Sequence, residues 1–95
     1  MSFAPLDPIL HNQLRLAIMS LLISVDEGDF NFLLERTGAT RGNLSVQVSK
    51  LKEAGYLSVK KTFKANYPNT LCTLSPKGLK AFELYVAAIN GYLKS

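Results

Sequence analysis

Residues 40–63, TRGNLSVQVSKLKEAGYLSVKKTF, determine how the rest of the chain is arranged. Leu44, Val48 and Leu51 follow one another at i, i+4 and i+7, which is the spacing of one apolar stripe on a helix. Gly55 ends this helix, and the alternation after it is typical of a strand. The face opposite the stripe is small, polar or basic, with Asn43, Val46, Ser49 and Lys50. We therefore predict a short helix with a readable outer face, followed at once by a basic strand.

The segment before this stretch predicts two further helices. Asp7 and Pro8 are typical of a helix start, so the first helix is expected from about residue 8 to residue 23 or 24. It carries two apolar stripes, Leu10, Leu14, Ala17 and Leu21 on one side and Ile9, Leu16, Met19 and Ile23 on the other. One stripe serves the domain core. The second is covered by a partner subunit, or by the domain itself if the helix is buried on most sides.

A tight turn separates the second predicted helix from the third. Residues 25–29 form an acidic turn, after which Asp29 caps a helix over about residues 30–36. Gly38 supplies the left-handed residue that ends that helix, and Thr40 caps the next one. A three-residue link between two short helices predicts a helix-turn-helix.

A β-hairpin and a terminal helix complete the chain. Residues 56–63 read as a strand with Leu57, Val59 and Phe63 on the inner side, residues 64–69 as a turn, and residues 70–74 as the returning strand. Ser75 and Pro76 then start a helix that runs to about residue 92 and is apolar around most of its circumference. We expect this last helix to pack with the first one and with the same pair in a second copy. The predicted dimer interface is Leu6, Ile9, Leu10, Leu14, Leu84, Tyr85, Ala88, Ile89 and Tyr92.

The motifs in this order resemble those of MarR/ArsR-type transcriptional regulators. GNLSVQVSKLKEAGYLSVKK is similar to their recognition helix and first wing strand, TLCTLSPKG to their second wing strand, and RLAI at residues 15–18 to the start of their first core helix. The resemblance covers about residues 8–93. It implies a single winged helix-turn-helix domain over residues 1–95, mainly α with a small β-hairpin wing. It also implies double-stranded DNA binding as a homodimer through the first and last helices, in a transcriptional regulator that we expect to be a repressor.

Several departures from that family limit what the resemblance carries over. Metal sensors of the ArsR type hold Cys pairs or His/Asp clusters, whereas this chain has only Cys72 and His11, so we predict no metal and no cofactor. Larger MarR proteins have additional helices that form a ligand cleft, and this chain is too short to contain them. A small-molecule effector therefore stays unknown. The sequence holds no Ser/His/Asp set, paired-carboxylate cleft or Gly-rich phosphate loop, and we expect no enzymatic activity.

Charge is unevenly distributed along the chain, whose net charge is +4. Residues 1–39 hold two arginines and five acidic residues, whereas residues 40–80 hold eight basic residues and one acidic residue. Such a division is the footprint of a polyanion-binding surface or, alternatively, an ordinary solvated basic surface. No apolar run approaches a membrane span, no signal peptide is recognised, and one cysteine fits a reducing cytoplasm, where we expect the protein.

The third helix holds most of the predicted DNA contacts. Asn43 and Gln47 can pair with adenine, and Arg41 can reach guanine or phosphate. Gln47 lies beside the apolar stripe, so the alternative for this residue is that it is half covered. Val46 faces away from the apolar stripe, so it contacts a thymine methyl or is an ordinary exposed valine. Gly42 lets the backbone approach a phosphate or is simply a tolerated glycine. The full set on this helix is Thr40, Arg41, Gly42, Asn43, Ser45, Val46, Gln47, Ser49 and Lys50.

The hairpin supplies the remaining predicted contacts, to phosphate or to the minor groove. The members of this wing set are Lys60, Lys61, Lys64, Asn66 and Tyr67. A solvated hairpin is the alternative, and Lys61, on the side of Val59, could contribute only its stem to packing. The competing function for the whole chain is a winged-helix protein–protein interaction module without DNA affinity, which the neutral outer face of the third helix would also suit.

Overall fold

Residues 3–94 are described by a computed structural model of the chain, in which seven elements follow one another. They are α1 Gln13–Val25, β1 Glu27–Asp29, α2 Phe30–Thr37, α3 Arg41–Glu53, β2 Leu57–Lys64, β3 Tyr67–Leu74 and α4 Pro76–Leu93. The predicted class, mainly α with a small β wing, is confirmed. Met1, Ser2 and Ser95 of the predicted 1–95 domain lie outside the described residues.

The sheet contains a strand that we did not predict. Residues 27–29, expected to be part of an acidic turn, form β1, which pairs with β3 in an antiparallel sheet of order β1-β3-β2. Gly28 lies opposite Cys72 in this register, and the left-handed backbone of Asp26 (φ 67°) turns the chain out of α1 and into the strand. A strand of three residues has no periodicity to detect, because its partner lies more than forty positions further along the chain.

The predicted helix caps are present and join the elements tightly. The Asp29 carboxylate accepts from the Phe32 amide at 2.7 Å, and the Thr40 hydroxyl accepts from the Asn43 amide at 3.2 Å. Gly38 has a φ of 70°, as the end of α2 requires. The Ser75 hydroxyl caps α4 by accepting from the Gly78 amide at 2.9 Å, and it also donates to the Gly55 carbonyl at 2.6 Å. That single hydroxyl therefore connects the end of α3 to the start of α4.

The predicted start of the first helix was wrong by about five residues. Asp7 does accept from the Ile9 amide, but its carbonyl accepts from the amides of Leu10 and His11, which closes a turn rather than a helix. The chain is extended again at Asn12, whose side chain accepts from the Arg15 amide at 2.9 Å and caps α1. An Asp-Pro pair favours the first turn of a helix, and here that turn is not continued into a helix.

The core is one apolar cluster beneath the sheet and the helices. Its buried members are Leu10, Ile18, Met19, Leu22, Leu33, Leu44, Val48, Leu51, Leu57, Cys72 and Tyr85. The stripe predicted on α3 is thus confirmed as its inner face. On α1 the buried residues Ile18, Met19 and Leu22 match neither predicted stripe, and the members of both stripes on that helix other than Met19 are partly buried. This helix is covered on most sides by its own chain.

Two residues assigned to the dimer interface belong instead to this core. Leu10 is fully buried, and Tyr85 is only 7% exposed, with its hydroxyl 3.0 Å from Nδ1 of His11. Neither side chain is available to a partner, because the turn before α1 folds over α4 and covers both. The apolar surface that remains exposed lies mainly on α4, at Leu79, Leu84, Val86, Tyr92 and Leu93.

The hairpin is longer and its turn tighter than predicted. Both strands continue to a two-residue turn, Ala65 and Asn66, which have left-handed φ values of 51° and 67°. Phe63, expected to face inward, is 79% exposed because the hairpin extends past the body of the domain. Within residues 3–94, no helix is both long and apolar enough to cross a membrane.

Candidate nucleic-acid interface

The outer face of α3 is open to solvent. With Leu44, Val48 and Leu51 packed in the core, the other sides of the helix present Asn43, Ser45, Val46, Ser49 and Lys50, all exposed. Val46 keeps 50% of its surface exposed. Asn43, Val46, Ser49 and Lys50 face outward as predicted, and Ser45 is exposed with them.

The start of α3 is held against α2 by Arg41. Its guanidinium lies 5.9 Å from the ring centroid of Phe30, and Nη2 donates to the Asn31 side chain at 3.4 Å. Gly42 follows with open space where a Cβ would be, so the backbone at this position is accessible. The first turn of α3 therefore offers a positive charge, the positive end of the helix dipole and room for an approaching phosphate.

Gln47 is placed differently from the other predicted readers. It is half-buried, its Oε1 accepts from Nη1 of Arg15 at 2.5 Å, and its Nε2 donates to Oδ1 of Asn43 at 3.0 Å. Both ends of its amide are therefore engaged within the chain. Asn43, one turn earlier, is the exposed end of this hydrogen-bonded row.

A groove of about 410 Å³ separates α3 from the hairpin. Lys61 reaches into it from β2, where its amine donates to the Thr70 hydroxyl at 3.0 Å. The α3 side contributes Arg41, Ser45, Ser49 and Lys52. Three cations and three hydroxyls thus line one groove, which is a surface suited to a phosphate backbone. Lys61 lies on the same side of β2 as Val59, as expected, and its amine is at the groove.

The other wing lysines face the opposite side of the sheet. Lys60 pairs with Leu71 and Lys64 with Tyr67, which places both on the face away from α3 because side chains alternate along a strand. Lys64 forms an ion pair with Asp29 at 3.6 Å. Asn66 lies in the exposed turn, and Tyr67 is 75% exposed beside it. The wing set is therefore divided between two faces and the tip.

Two residues that line the groove or support α3 were not among the predicted DNA contacts. One is Lys52, which lines the groove near the end of α3. It follows Ser49 at i+3, so helical spacing from Ser45 and Ser49 could have identified it. Arg15 contacts α3 from α1, and no local pattern links residues that are thirty-two positions apart.

The remaining singled-out residues have structural surroundings. Cys72 is fully buried under the sheet, and burial raises the pKa of its thiol to about 11, with Lys61 lowering and Asp29 raising it further. Such a thiol stays protonated and unreactive at neutral pH. Across residues 3–94, no three His, Cys, Asp or Glu side chains come together as a metal site would require.

A helix-turn-helix, an exposed second helix and a hairpin that forms a basic groove with it define the winged helix class of DNA-binding domains. The chain belongs to the winged helix DNA-binding domain family, which matches residues 14–93. The resemblance to winged helix-turn-helix regulators is confirmed by this match. One of the similar solved proteins described next is named a transcriptional regulator homologue.

Known proteins similar to this chain support the same class. A protein of Methanocaldococcus jannaschii, named as uncharacterised, is 32% identical over 81 residues, covering 85% of this chain and 88% of its own length. The transcriptional regulator homologue protein from Pyrococcus horikoshii OT3 superposes with a TM-score of 0.85 at 23% identity, over 90% of this chain and 85% of that one. HlyU from Vibrio cholerae N16961 gives a TM-score of 0.63 at 25% identity, over 80% and 78%.

Proposed function

We propose that the chain is a sequence-specific regulator of transcription that binds double-stranded DNA as a homodimer. In this proposal α3 lies in the major groove, and the hairpin contacts the adjacent backbone. The observation that carries it is the groove between α3 and β2, where Arg41, Lys52 and Lys61 converge beside two serine hydroxyls. Phosphate neutralisation by these cations supplies affinity, and the exposed α3 side chains supply sequence preference.

The division of the wing lysines refines which cations take part. Lys61 faces the groove, whereas Lys64 is already paired with Asp29 on the other face and Lys60 lies on that same face. A phosphate would have to compete with the Asp29 carboxylate for Lys64. We therefore assign the larger contribution to Lys61, with Asn66 and Tyr67 contacting DNA only from the tip of the hairpin.

The homodimer is supported by the apolar surface of α4. Only Gly78 and Tyr85 are buried among its residues, and Leu84 keeps 59% of its surface exposed. An exposed patch of this kind marks an association site in a small domain. A second copy of α4 would cover it and would present two copies of α3 to half-sites about one helical turn apart, ~10 bp. Repression is the simplest outcome, since covering a promoter requires DNA binding alone.

Fluorescence anisotropy tests DNA binding with a labelled random-sequence duplex over a range of salt concentrations. The wild-type chain is expected to bind with a steep salt dependence. The variant Arg41→Ala/Lys52→Ala/Lys61→Ala should reduce the slope of log affinity against log salt by about one for each contact removed. The matched control is Lys77→Ala/Lys80→Ala/Lys94→Ala, which removes the same charge from α4 and its end. Equal losses in both variants, or none in either, would contradict the assignment.

Sedimentation equilibrium tests the dimer. Leu84→Asp is expected to convert it to a monomer without loss of folded structure, because that side chain is mostly exposed within one chain. A wild-type chain that sediments as a monomer at micromolar concentration would contradict the dimer. Negligible duplex affinity at physiological salt would instead favour the alternative, a winged helix that contacts proteins, for which the exposed Phe63 and Tyr67 offer a surface.

A further inference from the structure

Arg15 lies between the turn that precedes α1 and the DNA-facing side of α3. Its Nε donates to the Ile9 carbonyl at 2.5 Å, and Nη2 lies 3.4 Å from the Pro8 carbonyl. Its remaining terminal nitrogen, Nη1, donates to Oε1 of Gln47. No carboxylate in the described chain, residues 3–94, forms an ion pair with it. The guanidinium is therefore fixed in position by backbone carbonyls and presents one donor to α3.

The chemistry of that donor dictates the orientation of the Gln47 amide. A guanidinium donates hydrogen bonds and accepts none, so Gln47 must turn its oxygen toward Arg15. The Gln47 nitrogen then faces the other way, toward Asn43, and donates to Oδ1 of that residue at 3.0 Å. With its oxygen directed toward Gln47, one turn further along the helix, Asn43 has its amide nitrogen on the outer side. Each step follows from the one before, because a donor can only meet an acceptor.

We infer that Arg15 is a positioning residue for base recognition. Through Gln47 it makes Asn43 present an amide donor to the DNA. This inference rests on the proposed function. It assigns a polarity to the site: Asn43 recognises a hydrogen-bond acceptor. In the major groove the acceptors are O6 and N7 of guanine, O4 of thymine and N7 of adenine, whereas cytosine presents only an amino donor.

The surroundings allow a base edge to reach the pair. Asn43 is exposed on α3, and a groove of about 380 Å³ lies against it and Gln47, lined also by polar residues of α1 and α2, among them Asn12, Gln13 and Thr37. Gln47 itself is half-buried and has both ends of its amide engaged. Gln47 therefore sets the orientation, and Asn43 makes the contact.

The decisive variant is Gln47→Glu, which keeps the shape of the side chain at residue 47 but reverses the orientation of the Asn43 amide. The carboxylate still accepts from Arg15, but it has no hydrogen to donate, so Asn43 must turn its nitrogen toward residue 47. Its oxygen then faces the DNA. We expect the preference at that position to move from guanine or thymine toward cytosine, by roughly five- to tenfold, the value of one hydrogen bond. The second variant, Arg15→Met, keeps the aliphatic stem but lets the amides rotate, and we expect preference at that position to be lost.

The experiment selects binding sites from a random-sequence duplex pool with the wild-type chain, both variants and Asn43→Ala. Asn43→Ala identifies the position concerned as the one where preference disappears. The salt dependence of binding is measured in parallel and should be unchanged in Arg15→Met, because Arg15 contacts no phosphate. A purely structural role for Arg15 would lower affinity for all sequences alike and leave the preferred base unchanged.

Two results would overturn the inference while leaving the proposed function intact. One is a wild-type preference for cytosine at the position that Asn43→Ala identifies, or no such position at all. The other is an unchanged preference in Gln47→Glu, with circular dichroism confirming that the variant is folded. A wild-type chain that binds no duplex overturns both the inference and the proposed function, so the two failures are distinguishable.

Discussion

The Tyr56 hydroxyl donates a hydrogen bond to the Asp7 carboxylate, across a separation of 49 positions in the chain. Tyr56 lies between α3 and β2, and Asp7 begins the turn before α1. The bond thus fastens the N-terminal segment to the chain just after α3. The same segment supplies the carbonyls that hold Arg15, which contacts the middle of α3 at Gln47, so this segment supports α3 at two places.

Tyr56→Phe is expected to destabilise the fold by about 1 kcal/mol at neutral pH, the net value of one hydrogen bond. Burial raises the pKa of Tyr56 to about 12, helped by the hydrogen bond to Asp7 and the negative charge of that carboxylate. The neutral phenol is the form that the fold favours. Its contribution is therefore fully present below pH 10 and is lost as pH rises toward 12.

Urea denaturation at pH 7, 10 and 11.5 measures this dependence. The stability difference between wild type and Tyr56→Phe should shrink between pH 10 and pH 12. Tyr67→Phe is the control, because that side chain is exposed at the hairpin tip and its hydroxyl has no hydrogen-bond partner among residues 3–94. A difference that stays constant across the range would contradict the assigned role of the phenol.

Gly78→Ala is expected to destabilise the fold by roughly 3 kcal/mol, as overpacking against a rigid neighbour does. A Cβ on Gly78 would lie 2.0 Å from the Tyr56 carbonyl oxygen and 2.8 Å from its carbon, and a backbone group cannot rotate away. The helix-propensity gain of alanine, about 1 kcal/mol, is too small to offset this clash. Gly91→Ala, on the same helix with open space around it, should be neutral or stabilising in thermal unfolding. Similar melting temperatures for the two variants would contradict this packing argument.

Gly42→Ala separates stability from DNA binding. The site has open space and a helical backbone, so alanine should stabilise the fold by about 0.5–1 kcal/mol. If the backbone at Gly42 approaches a phosphate, the added methyl should lower duplex affinity severalfold. Anisotropy and thermal unfolding on the same sample would show opposite signs. Gly91→Ala should raise stability without altering affinity, and unchanged affinity in Gly42→Ala would identify Gly42 as a tolerated glycine only.

Val46→Ala tests the predicted contact with a thymine methyl. Removing the apolar end of the half-exposed Val46 should cost about 1 kcal/mol of binding to a selected site. Replacing the contacted thymine by deoxyuridine should cost wild type a similar amount and the variant nothing further. This double-mutant cycle isolates the contact, and Ser49→Ala provides a neighbouring control on α3. Additive losses would show that Val46 is an ordinary exposed valine.

Local chemistry was sufficient to predict the caps of α2, α3 and α4 and the end of α2. Thr40 and Ser75 cap helices because each hydroxyl meets an amide three residues ahead, and Gly38 ends α2 because its backbone is left-handed. These interactions involve neighbours in sequence. The apolar stripe of α3 was recognisable for the same reason, since its three residues share one face.

Long-range contacts explain what the sequence did not reveal. β1 exists because β3 is there to pair with it, and α1 begins at Gln13 because the preceding carbonyls serve Arg15 and a turn instead of a helix. Gln47 was predicted to read bases, yet its amide is held by a residue from another helix. Each difference involves a partner that is distant in the chain and that no periodicity indicates.

The Ser75 hydroxyl, bonded at once to Gly55 and Gly78, has a consequence for operator choice. If α4 joins two subunits, this bridge holds each copy of α3 rigidly relative to the dimer interface. The distance between the two copies of α3 would then be fixed. DNA whose half-sites are one base pair further apart would bind weakly, because the protein would not bend to fit it.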